Sequence, residues 1–220
     1  MDRQNVGKEI KSMKKFNVIM LAFVLLFVSF SANVAADGSD YFDTVSLDGI
    51  LCYEVPEALD SNEVSGDTVF YIPVGVYDGY EKVFSVLAAY SEAATGLSGE
   101  EGEEITGIFY DIWSNYSFDE ACLNEDDAAA AKYLWNSAED AYWNGGADDD
   151  PLVVVYNCLP NWAYEMRDAC FEITYMLKAV YDFVNGDSYY DSIEEIMEYN
   201  GEDFLKAVDF VNVYFPELEF

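Results

Sequence analysis

Histidine is missing from all 220 residues. That absence excludes Ser-His-Asp and Cys-His nucleophiles, the commonest general base, and any zinc site that needs an imidazole. Positive charge is scarce, with ten Lys and Arg against 43 Asp and Glu. Phosphate contacts draw on Lys and Arg, so nucleic acid is not an expected ligand. No Cys-x-x-Cys pair occurs, which leaves no thioredoxin-like couple or zinc ribbon. Gly96-x-x-Gly99-x-x-Gly102 has the glycines of a phosphate loop but not its lysine, and Glu100, Glu101, Glu103 and Glu104 would repel phosphate. It reads as a flexible linker between helices.

Long apolar runs are also rare, and the single one lies at the start. Arg3, Lys8, Lys11, Lys14 and Lys15 form a basic region, Phe16 to Phe30 is apolar apart from Asn17 and Ser29, and Ser31-Ala32-Asn33-Val34-Ala35-Ala36 supplies small residues for cleavage. Residues 1–36 therefore read as an export signal, with Met13 as an alternative start. The apolar run is 15 residues long, short of the ~20 a spanning helix needs, so the alternative of an uncleaved anchor is second choice. Removal of the leader leaves a single domain, 37–220, that is expected to be secreted.

That domain holds five basic residues against 41 acidic ones, a formal charge of −36. Such a density opposes compaction and is relieved by salt or bound cations. All 18 Tyr and all four Trp lie in it, so it can bury a core and is not a disordered acidic tail.

Four cysteines remain, Cys52, Cys122, Cys158 and Cys170. An even count in an exported chain predicts two disulfides, with the three pairings left open. Cys158 and Cys170 can pair only if the chain turns sharply at Leu159-Pro160-Asn161, because a continuous helix would set them ~18 Å apart.

The most strongly patterned stretch is Asp150 to Gly186. From Asn161 onward Trp162, Met166, Ala169, Cys170, Ile173, Met176, Leu177, Val180 and Val184 recur at helical spacing, which predicts a long helix with one broad apolar face. Asp150-Pro151 is a start signal and Asn185-Gly186 a stop. Leu152 to Leu159 has strand-like valines but reads as helix, broken at Pro160. Before this, Asp37 to Gly66 reads as irregular, with Asp48-Gly49 and Ser65-Gly66 as turns. Gly49 to Glu54 and Thr68 to Val74 read as short strands that pair across a long connection. Helices are predicted after Asp78-Gly79 as far as Gly96, over Glu103 to Tyr116, and from Asn124 to Gly145. Two more follow the central stretch, one from Ser188 or Asp191 and one beyond Gly201 to Pro216. The predicted fold is mainly α: a compact bundle of about six helices with a small β or irregular N-terminal segment and two disulfides. An α+β arrangement whose short sheet includes 152–158 is the alternative.

Functional candidates are few. Asp148-Asp149-Asp150 after Gly145-Gly146, and Asp60-x-Asn62 before Gly66-Asp67, offer oxygen ligands suited to Ca²⁺, but neither has the spacing of a helix–loop–helix calcium site. Otherwise no cofactor is expected, and Asp148 to Asp150 also serve a helix start. Glu165, Asp168 and Glu172 share one helical flank and read as a solvated face, since paired carboxylate catalysis needs groups across a cleft. Arg167 has no acid three or four residues away, which predicts a structural ion pair with another element or stacking on an aromatic ring. Asn115-Tyr116-Ser117 is the single sequon in the domain, at a predicted helix end. Tyr41, Tyr53, Tyr71, Tyr77, Tyr80, Tyr189, Tyr190 and Tyr199 exceed what the core should need and suit sugar stacking or a protein interface.

These features point to a secreted, non-catalytic binding protein. Its anionic, tyrosine-rich surface would take basic proteins, other extracellular proteins or glycans, or cations. The alternative is a small secreted glycan hydrolase that works with paired carboxylates.

Overall fold

The computed structural model describes residues 41–59, 63–93, 107 and 118–218. The expected leader over 1–36, the helix expected over 103–116, the glycine-rich stretch, the sequon and residues 60–62 lie wholly or mainly outside them.

A three-stranded antiparallel meander opens the fold, in the order β1 (Asp43–Leu47), β2 (Ile50–Leu59) and β3 (Glu63–Pro73). β1 turns into β2 at Asp48-Gly49, where both residues have positive φ, +48° and +84°. That is the pairing a tight two-residue hairpin demands. Leu47 pairs with Ile50 across it, and Cys52 pairs with Pro73 on the other side of β2. The ladder shifts register between Pro56 and Glu57, beside a proline that has no N–H to donate.

Among the described residues there are four α-helices: α1 (Val74–Ala93), α2 (Glu125–Trp143), α3 (Pro151–Asn185) and α4 (Ile193–Tyr214). Short 3₁₀ turns occupy Phe118–Ala121 and Pro216–Leu218. α3 is one continuous helix of 35 residues, about 52 Å long. Asp150 caps it by accepting from the Leu152 N–H at 2.9 Å, and Gly186, at φ +81°, ends it in the left-handed conformation. Eight of the nine residues of its predicted stripe are buried, and Val184 is half-buried. α4 and β3 lie against that face, and α1 and α2 also pack on the helix.

The six-helix, disulfide-stapled bundle is therefore overturned, for identifiable reasons. Pro160 does not break α3. It forfeits one hydrogen bond, to the Tyr156 carbonyl, while Leu159, Trp162 and Ala163 beside it are buried, and the Asn161 side chain donates to the Asn157 carbonyl at 3.4 Å. Gly201 does not divide α4. It is buried within the helix, where a Cβ would meet Met197 Cε at 2.9 Å. Asp78-Gly79 does not start a helix but sits inside α1, which follows directly on Pro73. Residues 152–158 are helical, so the alternative sheet fails as well.

None of the four cysteines is in a disulfide. Cys158 and Cys170 lie on the unbroken α3, three turns apart. Cys52 is buried on the central strand, and Cys122 follows the 3₁₀ turn, half-buried. Burial pushes the Cys52 thiol up to about 12 and, with the charges of Asp127 and Asp119, the Cys122 thiol up to about 11. Cys170, fully buried, is likewise held well above the usual thiol range. A thiol at about 12 is ionised roughly once in 10⁵ molecules at neutral pH, and the thiolate is the reactive species. Thiol titration should give four groups per chain after denaturation and slow reaction at Cys52 and Cys170 in the native state. A count of zero after denaturation without reductant would restore the disulfides.

Tyr77 of α1 joins the layers. Its hydroxyl donates to the buried Tyr214 carbonyl at 2.6 Å, and its ring meets Tyr53 of β2 and Phe215 with centroids 4.9 and 4.8 Å away.

Candidate functional site

The connection from α2 to α3 sets up the most developed surface feature. Asn124 caps α2 by accepting from the Asp127 N–H at 2.9 Å, and Glu125, Asp126 and Asp127 fill the first turn, where the helix dipole favours acids. The chain leaves α2 through Asn144-Gly145-Gly146. Gly145 has φ +79°, and a Cβ on Gly146 would meet Val153 Cγ2 at 2.8 Å, so the turn is held close against α3.

Across the outer face of this helix pair runs a row of aromatic rings. Phe118 sets its ring at a steep angle to that of Trp135, 5.7 Å between centroids. Trp135 stacks on Tyr156 of α3 at 5.1 Å, with the planes 15° apart. Tyr156 stacks on Tyr142 at 4.3 Å and 21°. Tyr142 meets Trp143 at 5.2 Å and 85°. The row grades from half-buried to open: Trp135 and Tyr156 are half-buried, Tyr142 is 41% exposed and Trp143 70%. Glu139 and Asp140, both exposed, precede Trp143 by four and three residues and so flank it on the helix surface. Asp148 and Asp149 stand exposed in the turn beyond.

A second aromatic group covers the junction of α3 and α4. The Tyr175 and Tyr189 hydroxyls are 3.0 Å apart, Tyr189 donates to the Tyr190 hydroxyl at 2.7 Å, and Asn200 Nδ2 donates to the same oxygen at 3.0 Å. The donors from Asn200 and Tyr189 hold Tyr190 below the usual phenol range, and the bonds to Tyr175 and Tyr190 raise Tyr189. Tyr189 and Tyr199 are largely exposed.

The predicted residues fall out unevenly. Tyr53, Tyr77 and Tyr80, expected at the surface, are buried at the joint between sheet and helices, whereas Tyr41, Tyr189 and Tyr199 are exposed. The row members Trp135, Tyr142, Trp143 and Tyr156 did not stand out from sequence. Trp135 and Tyr142 are seven residues apart and share a face, but only the packing of α2 on α3 brings Tyr156 between them. Asp148, Asp149 and Asp150 are consecutive in a turn, with Asp150 engaged as the α3 cap. Among the described residues no three Asp, Glu or Cys groups are placed to hold a metal ion. The Arg167 guanidinium lies 4.2 Å from the centre of the Tyr164 ring, with Nη2 3.0 Å from Asp168 Oδ1.

Glu172, on the carboxylate flank, has a raised pKa. Partial burial lifts it first, followed by the charges of Asp203 and Asp168. The folded chain therefore binds this proton more readily than the unfolded chain does. The stabilisation from protonating Glu172 is complete below the ordinary carboxylate pKa and is lost as pH rises through the folded value. Glu172→Gln should raise the melting temperature at neutral pH by about 1–2 °C, with the difference vanishing near pH 3. An equal gain at both pH values would place the effect in packing.

No helix among the described residues is long and apolar enough to cross a membrane. Comparison with protein-family models, curated proteins and solved structures found no match, so residue chemistry alone supports a functional reading.

Proposed function

We propose that this chain is an exported, non-catalytic binding domain whose anionic and aromatic surface takes cationic protein partners. The observation that carries this reading is the exposure of Trp143 and Tyr142 beside Glu139 and Asp140 on a chain with little positive charge. Large apolar rings cost free energy in water, and carboxylates in number repel one another; a basic partner relieves both. The protein's own cations are already engaged in part. Of the five basic residues in 37–220, Arg167, Lys178 and Lys206 pair with acids on their own helices.

Export is supported by the leader-like residues 1–36. Unbridged thiols at Cys52 and Cys170 are compatible with it, because burial keeps these two protonated and shielded from oxidants.

Affinity capture on the immobilised protein, from its own surrounding medium at low and high salt, tests the reading. Retained proteins should be basic and should elute as salt rises. Retention of neutral or acidic proteins that resist salt would refute it.

A further inference from the structure

The open end of the aromatic row offers more than bulk negative charge. Its exposure leaves at least one face of the Trp143 indole to solvent, and the Tyr142 ring stands almost perpendicular beside it. Cations are attracted to such faces, tryptophan's most of all. Glu139 and Asp140 lie one helical turn back on the same side. A guanidinium on the indole would therefore lie within reach of a carboxylate that can accept two parallel N–H bonds. An ammonium group cannot make that paired contact, and it is more strongly hydrated.

This fold already holds a guanidinium in such a setting. Arg167 stacks on Tyr164, three residues earlier on α3, while its Nη2 bonds Asp168. Trp143 with Asp140 presents the same two groups, outward. We propose that the open end of this strip, Trp143 and Tyr142 with Glu139 and Asp140 beside them, docks an arginine side chain on an extended basic segment of a partner protein.

Charge complementarity selects this occupant. A second copy of the chain is disfavoured, since both copies are strongly acidic and Arg167, the sole arginine after residue 3, is already stacked and ion-paired. The inference rests on the binding function proposed above and adds its place and its preferred side chain.

The test is titration of the full chain, followed by tryptophan fluorescence and calorimetry, with an Arg-Gly peptide, a Lys-Gly peptide of equal charge and a chito-oligosaccharide. The Arg peptide should bind several-fold more tightly than the Lys peptide. Trp143→Ala should weaken the Arg peptide about five- to tenfold, Trp143→Phe should restore most of the loss, and Tyr199→Ala, which removes an exposed ring outside the strip, should change nothing. Circular dichroism of Trp143→Ala should match the parent, because the ring is mostly in solvent. Equal binding of both peptides with no effect of Trp143→Ala overturns the strip and leaves the binding function standing. Failure of both peptides to bind overturns the function as well. Binding of the oligosaccharide alone, lost in Trp143→Ala, makes the strip a sugar platform and overturns the arginine assignment.

Discussion

Trp162→Ala is expected to cost about 3–5 kcal/mol and to lower the melting temperature by roughly 6–20 °C. Trp162 is 1% exposed near the middle of α3. Its ring meets Tyr80 of α1 and Tyr214 of α4 nearly at right angles, with centroids 5.4 and 5.7 Å away. Alanine would leave a void that three helices border, and they cannot all close on it, because Tyr80 is also tied by its hydroxyl to the Ala163 carbonyl at 3.2 Å. The indole N–H finds no hydrogen-bond acceptor among the described residues. Trp162→Phe should therefore cost much less than alanine, since it removes a buried polar atom along with volume. Thermal and urea unfolding of both variants checks this. A loss below about 1 kcal/mol for Trp162→Ala would mean that α3 is not the centre of the core.

Gly79→Ala should destabilise by about 2–4 kcal/mol, against the ordinary sign of the change. Alanine inside a helix normally gains about 1 kcal/mol over glycine. Here a Cβ would overlap the backbone carbonyl oxygen of Ala121, which cannot swing aside as a side chain can. Gly75, one turn earlier, leaves room for the Asp127 side chain, which an added Cβ would overlap. Together the two glycines let α1 approach the backbone after the Phe118–Ala121 turn and the Asp127 side chain at the start of α2. That approach fixes α2, and with it the aromatic row. A stabilised Gly79→Ala variant, read from urea midpoints, would show that this contact does not exist.

What could be read from the sequence follows from what local patterns encode. α3 was legible in its caps and its stripe because 3.6-residue periodicity and the Asp-Pro start are properties of the segment itself. The Asp48-Gly49 turn was visible too, but the β1 strand before it was not, since Thr44 and Ser46 dilute its apolar signal. The supposed breaks at Pro160 and Gly201 failed for a shared reason. Propensity charges each residue a local cost, whereas the burial of Trp162 beside the first, and of Gly201 itself, comes from tertiary packing. The disulfides were inferred from compartment and even number, and neither carries geometry. The aromatic row needed two helices in contact, with Tyr156 from one placed between Trp135 and Tyr142 of the other.

The central claim is that fixed negative charge and open aromatic rings select cationic partners. The most direct measurement is the dissociation constant of the full chain for the Arg-Gly peptide at ~0.1 M and at ~1 M salt, where the screening length falls from about 10 Å to about 3 Å. Measurable binding is expected at the lower salt and should weaken steeply at the higher. No binding at either, or an affinity indifferent to salt, would contradict it.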